Sequence, residues 1–135
     1  MRPFTIYTAE CTGNARNCQY PTEVIVQDVP ALQQAMGRDH VCAKYYDNRR
    51  SAAGFQWSDC IPMDCDNDHS EDPSDWKQPE DVAAAFPDVS FAVCYSRNHM
   101  KEKNGKAARP KFHCYFPVER ITDSKAYTAV KQQLQ

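Results

Sequence analysis

GFQWSDCIPMDCDND, residues 54–68, joins an apolar, strand-like run to a group of carboxylates. Alternate residues of an extended strand point to the same face of a sheet. Asp64 and Asp66 should therefore project side by side, with Met63 and Cys65 turned into the core behind them. Neighbouring carboxylates repel each other unless a cation lies between them, and hard oxygen ligands suit Mg²⁺ or Mn²⁺. The segment predicts a central strand that carries a divalent-metal site.

The acidic end of this segment also allows other interpretations. Asp64, Asp66 and Asp68 resemble the start of a calcium loop. An EF-hand loop needs Gly at position 6 and Glu at position 12, where this chain has His69 and Asp75, so we reject that interpretation. A solvated acidic turn at the end of a strand gives the same pattern, and two spaced aspartates alone are a weak signal.

Composition predicts one water-soluble domain. The chain has 135 residues, of which 25% are charged, and its mean hydropathy is −0.74. It has no apolar run near the roughly 20 residues that a membrane helix needs, and no export signal is visible at its N-terminus. We therefore expect a cytoplasmic protein without a membrane partner. Its seven cysteines should be free thiols, because an odd number without an export signal argues against a disulfide framework.

The net charge of −2 conceals a strong segregation of charge. Residues 59–75 contain seven acids and no Lys or Arg, whereas residues 97–111 contain six bases and one acid. An acidic patch beside a basic loop suggests that a metal and a polyanion meet in the folded chain.

Hydrophobic periodicity and turn residues predict an α+β fold with a mainly antiparallel sheet and helices on one face. Five strands are predicted: residues 3–8, 22–26, a central strand that begins after residue 53 and reaches Asp66, 89–95 and 111–116. Residues 40–46 are β-prone but ambiguous, and the predicted helices cover 31–36, 79–86 and 125–135. Residues 89–116 should form a hairpin whose long loop carries the basic run.

The second predicted hairpin strand alternates cleanly. Lys111, His113 and Tyr115 share one face of it, and the apolar side chains of Phe112 and Cys114 belong to the other, core-facing side. His113 should therefore stand on an exposed sheet face. An isolated strand histidine is usually an ordinary surface residue, but this one follows a basic loop and fits contact with phosphate.

These two segments resemble the archaeo-eukaryotic primase superfamily. Met63-Asp64-Cys65-Asp66 looks like its first motif, and residues 112–117, Phe-His-Cys-Tyr-Phe-Pro, look like its second. More closely, residues 58–70 and 95–101 resemble primase-polymerase domains of replication proteins from bacterial phages and integrative elements. The resemblance extends from about residue 11 to residue 117.

The resemblance implies a catalytic core with an RRM-like sheet that transfers nucleotides on a DNA template. Asp64 and Asp66 would bind Mg²⁺ or Mn²⁺, and His113 would contact the nucleoside triphosphate. Further nucleotide or phosphate contacts would come from Ser96, Arg97, His99, Arg109 and Lys111. The implied partners are nucleoside triphosphates, a single-stranded DNA template and a helicase domain or subunit.

One family feature has no counterpart here. The family carries a third acidic motif on a later strand, yet after Pro117 this chain offers only Glu119 and Asp123, and Asp123 is typical of a helix N-cap. We therefore expect the third motif to lie beyond Gln135. Residues 1–135 would then be the N-terminal part of one catalytic core, which leaves catalysis by this chain alone open.

Four soft ligands raise a second metal hypothesis. Cys11, Cys18, His40 and Cys42 are suitable types for structural zinc, but their spacing is not that of a standard zinc knuckle. The alternative is that these residues never meet in the folded chain.

The sequence leaves rival functions beside the primase hypothesis. A metal-dependent nuclease, or a glycosyltransferase with the same aspartate pair, would also use Asp64 and Asp66. A non-catalytic module that binds single-stranded nucleic acid would instead need aromatic residues on an open face. A nuclease would cleave DNA without any nucleotide, whereas a primase needs a nucleoside triphosphate and a template.

Overall fold

The computed structural model describes residues 2–134. It contains seven strands and three α-helices in these residues. In chain order they are β1 (Phe4–Thr8), β2 (Thr22–Val26), α1 (Val29–Met36), β3 (His40–Val41), β4 (Lys44–Tyr45), β5 (Phe55–Cys65), α2 (Pro79–Ala85), β6 (Ala92–Tyr95), β7 (Phe112–Ile121) and α3 (Ser124–Leu134).

The strands form two antiparallel sheets, which confirms the α+β class. The smaller sheet has the order β2-β1-β3 and the larger one the order β4-β5-β7-β6. The long strands β5 and β7, of 11 and 10 residues, lie side by side at the centre of the larger sheet. The predicted hairpin is the β6–β7 pair, and the basic run forms the loop between its strands.

Local side-chain chemistry explains where the helices begin. The Asp28 carboxylate accepts the Ala31 N–H at 2.9 Å, and the Asp81 carboxylate accepts the Gln78 N–H at 2.6 Å. Asp123 accepts the Lys125 N–H at 3.1 Å, as its predicted capping role requires. Such caps satisfy backbone donors that the first helical turn leaves unpaired.

Hydrophobic residues cover both faces of the larger sheet. On one face, Phe112, Cys114 and Phe116 pack with Val82 of α2 and Tyr127 of α3. On the other, Cys60, Ala92 and Tyr115 pack against the smaller sheet and α1 through Phe4, Ile6, Leu32 and Ala35. The rings of Phe4 and Tyr115 stack with centroids 5.9 Å apart across this interface.

The expectation of one sheet with helices on one face and an exposed opposite face is wrong. Tyr115 is 1% exposed and Lys111 is 7% exposed, because the smaller sheet, α1 and the residue 66–76 segment cover much of that face. The end of the face that carries Asp64 and His113 stays accessible to solvent. The candidate site lies at this end.

Within residues 2–134, none of the helices has the length and apolar composition needed to cross a lipid bilayer. The seven cysteines are all free thiols.

Candidate functional site

Strand register places three side chains of the site in one row. Asp64 on β5 lies opposite His113 on β7, and His113 lies opposite Cys94 on β6. Directly opposed residues of antiparallel strands point to the same face. The pairing of β5 with β7 therefore brings the first predicted aspartate to the predicted histidine, which is 49 positions away in the sequence.

Asp64 and His113 are hydrogen-bonded to each other, and they form an ion pair when the His113 ring is protonated. Nδ1 of His113 lies 2.5 Å from Oδ1 of Asp64. This hydrogen bond lowers the pKa of the Asp64 carboxyl, and it raises the pKa of His113 against the opposing effect of burial. The charge of Asp66 also raises the pKa of His113, which places Asp66 in the same electrostatic neighbourhood. Nδ1 is committed to Asp64, so Nε2 is the ring nitrogen that can reach a ligand.

Asp66 reaches the site from a turn. Strand β5 ends at Cys65, and the exposed Asp66 lines the cleft described below. The next residue, Asn67, is 2% exposed and has a φ of 55°, the left-handed conformation that asparagine tolerates better than most residues. Its side chain accepts the Lys77 N–H at 2.7 Å and donates to the carbonyls of Lys77 and Pro110 at 3.0 and 2.8 Å. A tightly bonded turn therefore sets the position of Asp66, rather than the strand pleat that the sequence predicts.

The prediction that Arg109 contacts phosphate is wrong. Its guanidinium is completely buried and donates to both carboxylate oxygens of Glu71 at 2.9 Å. It also donates to the carbonyls of Asn67 and Ser70 at 2.9 and 3.0 Å, and its Nε donates to Ala107 O at 3.1 Å. Its donors point at protein acceptors, so Arg109 fastens the acidic segment to the hairpin loop from within.

A cleft of about 590 Å³ opens beside the Asp64–His113 pair, between the smaller sheet and the β6–β7 hairpin. His113, Ser96, Asp39, Asp66 and Asp68 are among the residues that line it. Six of its lining side chains are cationic: Arg38, Arg50, Arg97, Lys103, Lys106 and Lys111. The excess of cations over acids makes the cleft electropositive, which favours an anionic ligand.

Ser96 and Arg97 face this cleft, as the resemblance implies. The Ser96 N–H donates to Lys111 O at 2.9 Å, which extends the hairpin pairing by one step. The Ser96 hydroxyl is buried, and it has no hydrogen-bond partner within residues 2–134. Arg97 is exposed, and its guanidinium lies over Gly13, where an added Cβ would come within 3.0 Å of it. Gly13 has a φ of +76°, a backbone conformation that glycine adopts easily. The absence of a side chain at Gly13 also leaves room for the Arg97 guanidinium.

His99 and Lys111 are engaged by the protein itself. Nδ1 of His99 accepts the Lys111 N–H at 3.1 Å, and the His99 ring packs at a tilt against Tyr95 with centroids 4.2 Å apart. His99 is not among the residues that line the cleft. The Lys111 ammonium does line it, and it lies 3.3 Å from Asp68.

The predicted zinc ligands do not converge. Cys11 lies 3.7 Å from the Asp39 carboxylate, whereas Cys42 is buried in the core beside Ser58. Across residues 2–134, no three His, Cys, Asp or Glu side chains come together as a metal site. The Cys42 thiol is part of the buried core cluster, whereas Cys11 and Cys18 lie in the partly exposed loop after β1.

His40 belongs to the site through a contact that sequence reasoning missed. Its Nδ1 lies 3.2 Å from Arg38 O and its Nε2 lies 3.0 Å from the Tyr115 hydroxyl. Burial lowers the pKa of His40, so the ring is neutral near pH 7. A carbonyl can only accept, so the neutral ring carries its proton on Nδ1. Its Nε2 and the Met36 sulfur, which lies 3.1 Å from the Tyr115 hydroxyl, are then both acceptors for the single hydroxyl proton. His40 lines the cleft beside His113, and its place in the proposed zinc set is its only signal in the sequence.

No family model, curated protein or solved structure matches this chain. The chemistry of the site therefore rests on its own residues.

The oxygen donors at the site fit Mg²⁺ or Mn²⁺. The second carboxylate oxygen of Asp64 and both oxygens of Asp66 accept no hydrogen bond within residues 2–134, and the Asp64 side chain is 67% exposed. Mg²⁺ is commonly held by one or two carboxylates, with substrate phosphates and water completing its coordination. Two carboxylates beside an electropositive cleft match that pattern.

We predict that the pKa of His113 lies above its ordinary value of about 6.5 and falls toward that value in Asp64→Asn, because the variant removes the ion-pair partner. NMR titration of the His113 ring protons measures both values.

A group whose pKa is raised by folding contributes stability below its unfolded pKa, and that contribution is lost as the pH rises through its folded pKa. The stability difference between the two proteins should therefore shrink as the pH is raised above about 6.5. An unchanged His113 pKa in Asp64→Asn would contradict the ion pair.

Proposed function

We propose that this protein binds nucleoside triphosphates with a divalent metal and acts in template-directed nucleotidyl transfer, as a DNA primase or primase-polymerase of the archaeo-eukaryotic superfamily. One observation carries the proposal. The hydrogen-bonded Asp64–His113 pair and the carboxylate of Asp66 lie beside a cleft that six Lys and Arg side chains line. Metal-bound nucleotide needs both halves of this arrangement, because carboxylates hold the metal and cations hold the phosphates.

The electropositive cleft suits the triphosphate. Arg97 is exposed and its guanidinium has no carboxylate within salt-bridge distance in residues 2–134, so it is available for a phosphate oxygen. The buried Ser96 hydroxyl offers a further hydrogen bond inside the cleft. Protonated His113 would donate from Nε2 while Asp64 holds Nδ1. A fixed donor of this kind stabilises charge on the phosphate oxygens without a reorganisation cost.

The metal and the carboxylates supply the remaining chemistry. Asp64 and Asp66 would hold a divalent ion, which neutralises phosphate charge and lowers the pKa of a bound hydroxyl. The oxygen of a 3′-hydroxyl would attack the α-phosphorus and release its proton to water, while the bond to the β-phosphate oxygen breaks and pyrophosphate leaves. The protein's own contribution is to position the reacting groups and stabilise their charge.

Calorimetric titration with dATP and with ATP, each with and without Mn²⁺, tests the nucleotide site. We expect binding to the wild-type protein to depend on Mn²⁺ and to be lost in Asp64→Ala and in His113→Ala. Asp88→Ala is the matched control, since Asp88 is an exposed aspartate that does not line the cleft. Circular dichroism of each variant separates loss of binding from loss of folding.

The same proteins distinguish the rival functions. Cleavage of DNA by the wild-type protein with Mn²⁺ and without any nucleotide would favour a nuclease. Tight binding of single-stranded DNA without metal, combined with no binding of dATP, would favour a non-catalytic module. Either outcome would overturn the proposed function.

A further inference from the structure

The carboxylate of Asp68 lies among three cationic side chains at the edge of the cleft. Its Oδ1 lies 3.3 Å from the Lys111 ammonium, 3.8 Å from the Lys106 ammonium and 3.9 Å from the Arg109 guanidinium. Desolvation raises the pKa of the Asp68 carboxyl, but the hydrogen bond from Lys111 and the charges of the three cations outweigh it and lower the pKa overall. One carboxylate oxygen thus holds the position to which three cations point.

The three cations differ in how much they depend on Asp68. Arg109 already has both oxygens of Glu71 as acceptors, so its charge is compensated without Asp68. The Lys111 side chain is only 9% exposed, and Asp68 is the acid within salt-bridge distance of its ammonium in residues 2–134. A lysine buried to this degree needs an anionic partner. Removal of Asp68 would leave Lys111 in need of another anion.

The Asp68 side chain has room to move away from the two lysine ammonium groups. The side chains of Asp68 and Lys106 are 43% and 44% exposed, so both can change conformation without disturbing the core. Both residues line the cleft together with Lys111, so a ligand in the cleft can reach the two ammonium groups. Arg97, on the same loop, could extend the contact to a neighbouring phosphate.

We propose that Lys106 and Lys111 form a subsite for a polyphosphate, and that Asp68 fills this subsite in the free protein and must be displaced by the ligand. The ligand class is a chain of two or more phosphate groups, as in a nucleoside triphosphate or pyrophosphate. The inference rests on the proposed function and adds to it a competition between an acid of the chain and the substrate. Asp68 thus weakens nucleotide binding.

If Asp68 competes with the ligand, removal of its charge should raise the affinity for polyphosphate rather than lower it. Asp68→Asn removes the competing charge but keeps the size of the side chain, so affinity for inorganic triphosphate should rise about tenfold, as expected for removal of one like charge from a partly exposed anion site. Glu102→Gln removes one charge from the same basic loop without touching the subsite and should change affinity less than about twofold. Lys106→Gln should weaken binding in both the wild-type and the Asp68→Asn background.

The experiment is calorimetric titration of inorganic triphosphate into these four variants and the wild-type protein, with EDTA present to exclude metal. Thermal unfolding with and without triphosphate provides a second readout. Because Asp68→Asn leaves Lys111 unpaired, the variant should melt at a lower temperature than wild type and gain more from added triphosphate. A gain in the Asp68→Asn affinity that Glu102→Gln does not share is the expected result.

Equal or weaker triphosphate binding by Asp68→Asn would overturn the inference, as would a similar gain in Glu102→Gln. An equal gain for a thymidine oligonucleotide without a terminal phosphate would overturn the polyphosphate assignment, since that ligand offers only phosphodiesters. If no variant binds triphosphate, the subsite does not exist. Titration of wild type with dATP and Mn²⁺ then separates the two claims: binding there leaves the proposed function standing, and no binding removes both.

Discussion

Replacement of Arg109 by methionine should lower the free energy of unfolding by about 2–4 kcal/mol, since it removes a fully buried donor group and leaves several acceptors unpaired. The guanidinium serves the carbonyls of Asn67, Ser70 and Ala107 as well as the carboxylate of Glu71. Glu71 is largely exposed, so water can take over its charge, and most of the loss comes from the carbonyls. Urea denaturation followed by circular dichroism measures the change.

Arg97→Met is the matched control for this prediction. Both arginines belong to the basic run, but Arg97 is exposed and lines the cleft. Its replacement should change stability by less than about 0.5 kcal/mol and should instead weaken nucleotide binding. If Arg109→Met were as stable as wild type and lost only nucleotide affinity, the structural role assigned to Arg109 would be wrong.

Asp66→Asn should reduce Mn²⁺-dependent affinity for dATP by about 100-fold or more, because it removes a charged oxygen ligand from a site that has two. Its stability should stay within about 0.5 kcal/mol of the wild-type value, since the Asp66 carboxylate bonds to no other group in residues 2–134. Titration calorimetry and urea denaturation of the same samples give the two quantities.

Asp88→Asn removes an equal charge at a distance from the cleft and should leave dATP affinity unchanged. The assignment of Asp66 fails if the two variants bind dATP equally well in Mn²⁺. A loss in both would point to the overall charge of the protein rather than to a metal ligand.

Local patterns in the sequence predict most of the strands and helices. The alternation in residues 111–116 identifies β7 because each inward residue, such as Phe112 and Cys114, is apolar. The N-cap at Asp28 and the turn after Met36 locate α1 in the same way. These signals are short-range, so they are readable without knowledge of which strands pair.

The division into two sheets depends on contacts that no local pattern records. The three strands of the smaller sheet are β-prone in sequence, yet nothing in them shows that Phe4 stacks on Tyr115 and covers the face predicted to be exposed. For the same reason the sequence does not distinguish Arg109 from Arg97. Both lie in the same basic run, and only tertiary packing makes one a buried anchor and the other a cleft residue.

Part of the candidate site is predictable because residue type and spacing carry its chemistry. Asp64, Asp66 and His113 are identified from two strands, and the structure brings them to one rim of the cleft. The roles of Asp68 and His40 are not readable from the sequence. Asp68 contacts Lys111, which lies 43 positions away, and His40 contacts Tyr115, which lies 75 positions away in another layer.

Paramagnetic broadening by Mn²⁺ tests the metal site most directly. If Asp64 and Asp66 hold the metal, small amounts of Mn²⁺ added to the protein with dATP should broaden the NMR amide signals of Asp64, Asp66 and His113 before those of other residues. Broadening should be weaker without dATP, because phosphate oxygens complete the coordination of the ion. Strongest broadening at the exposed acids Asp72 and Asp75, or the same pattern with and without dATP, would contradict a nucleotide-bound metal at Asp64 and Asp66.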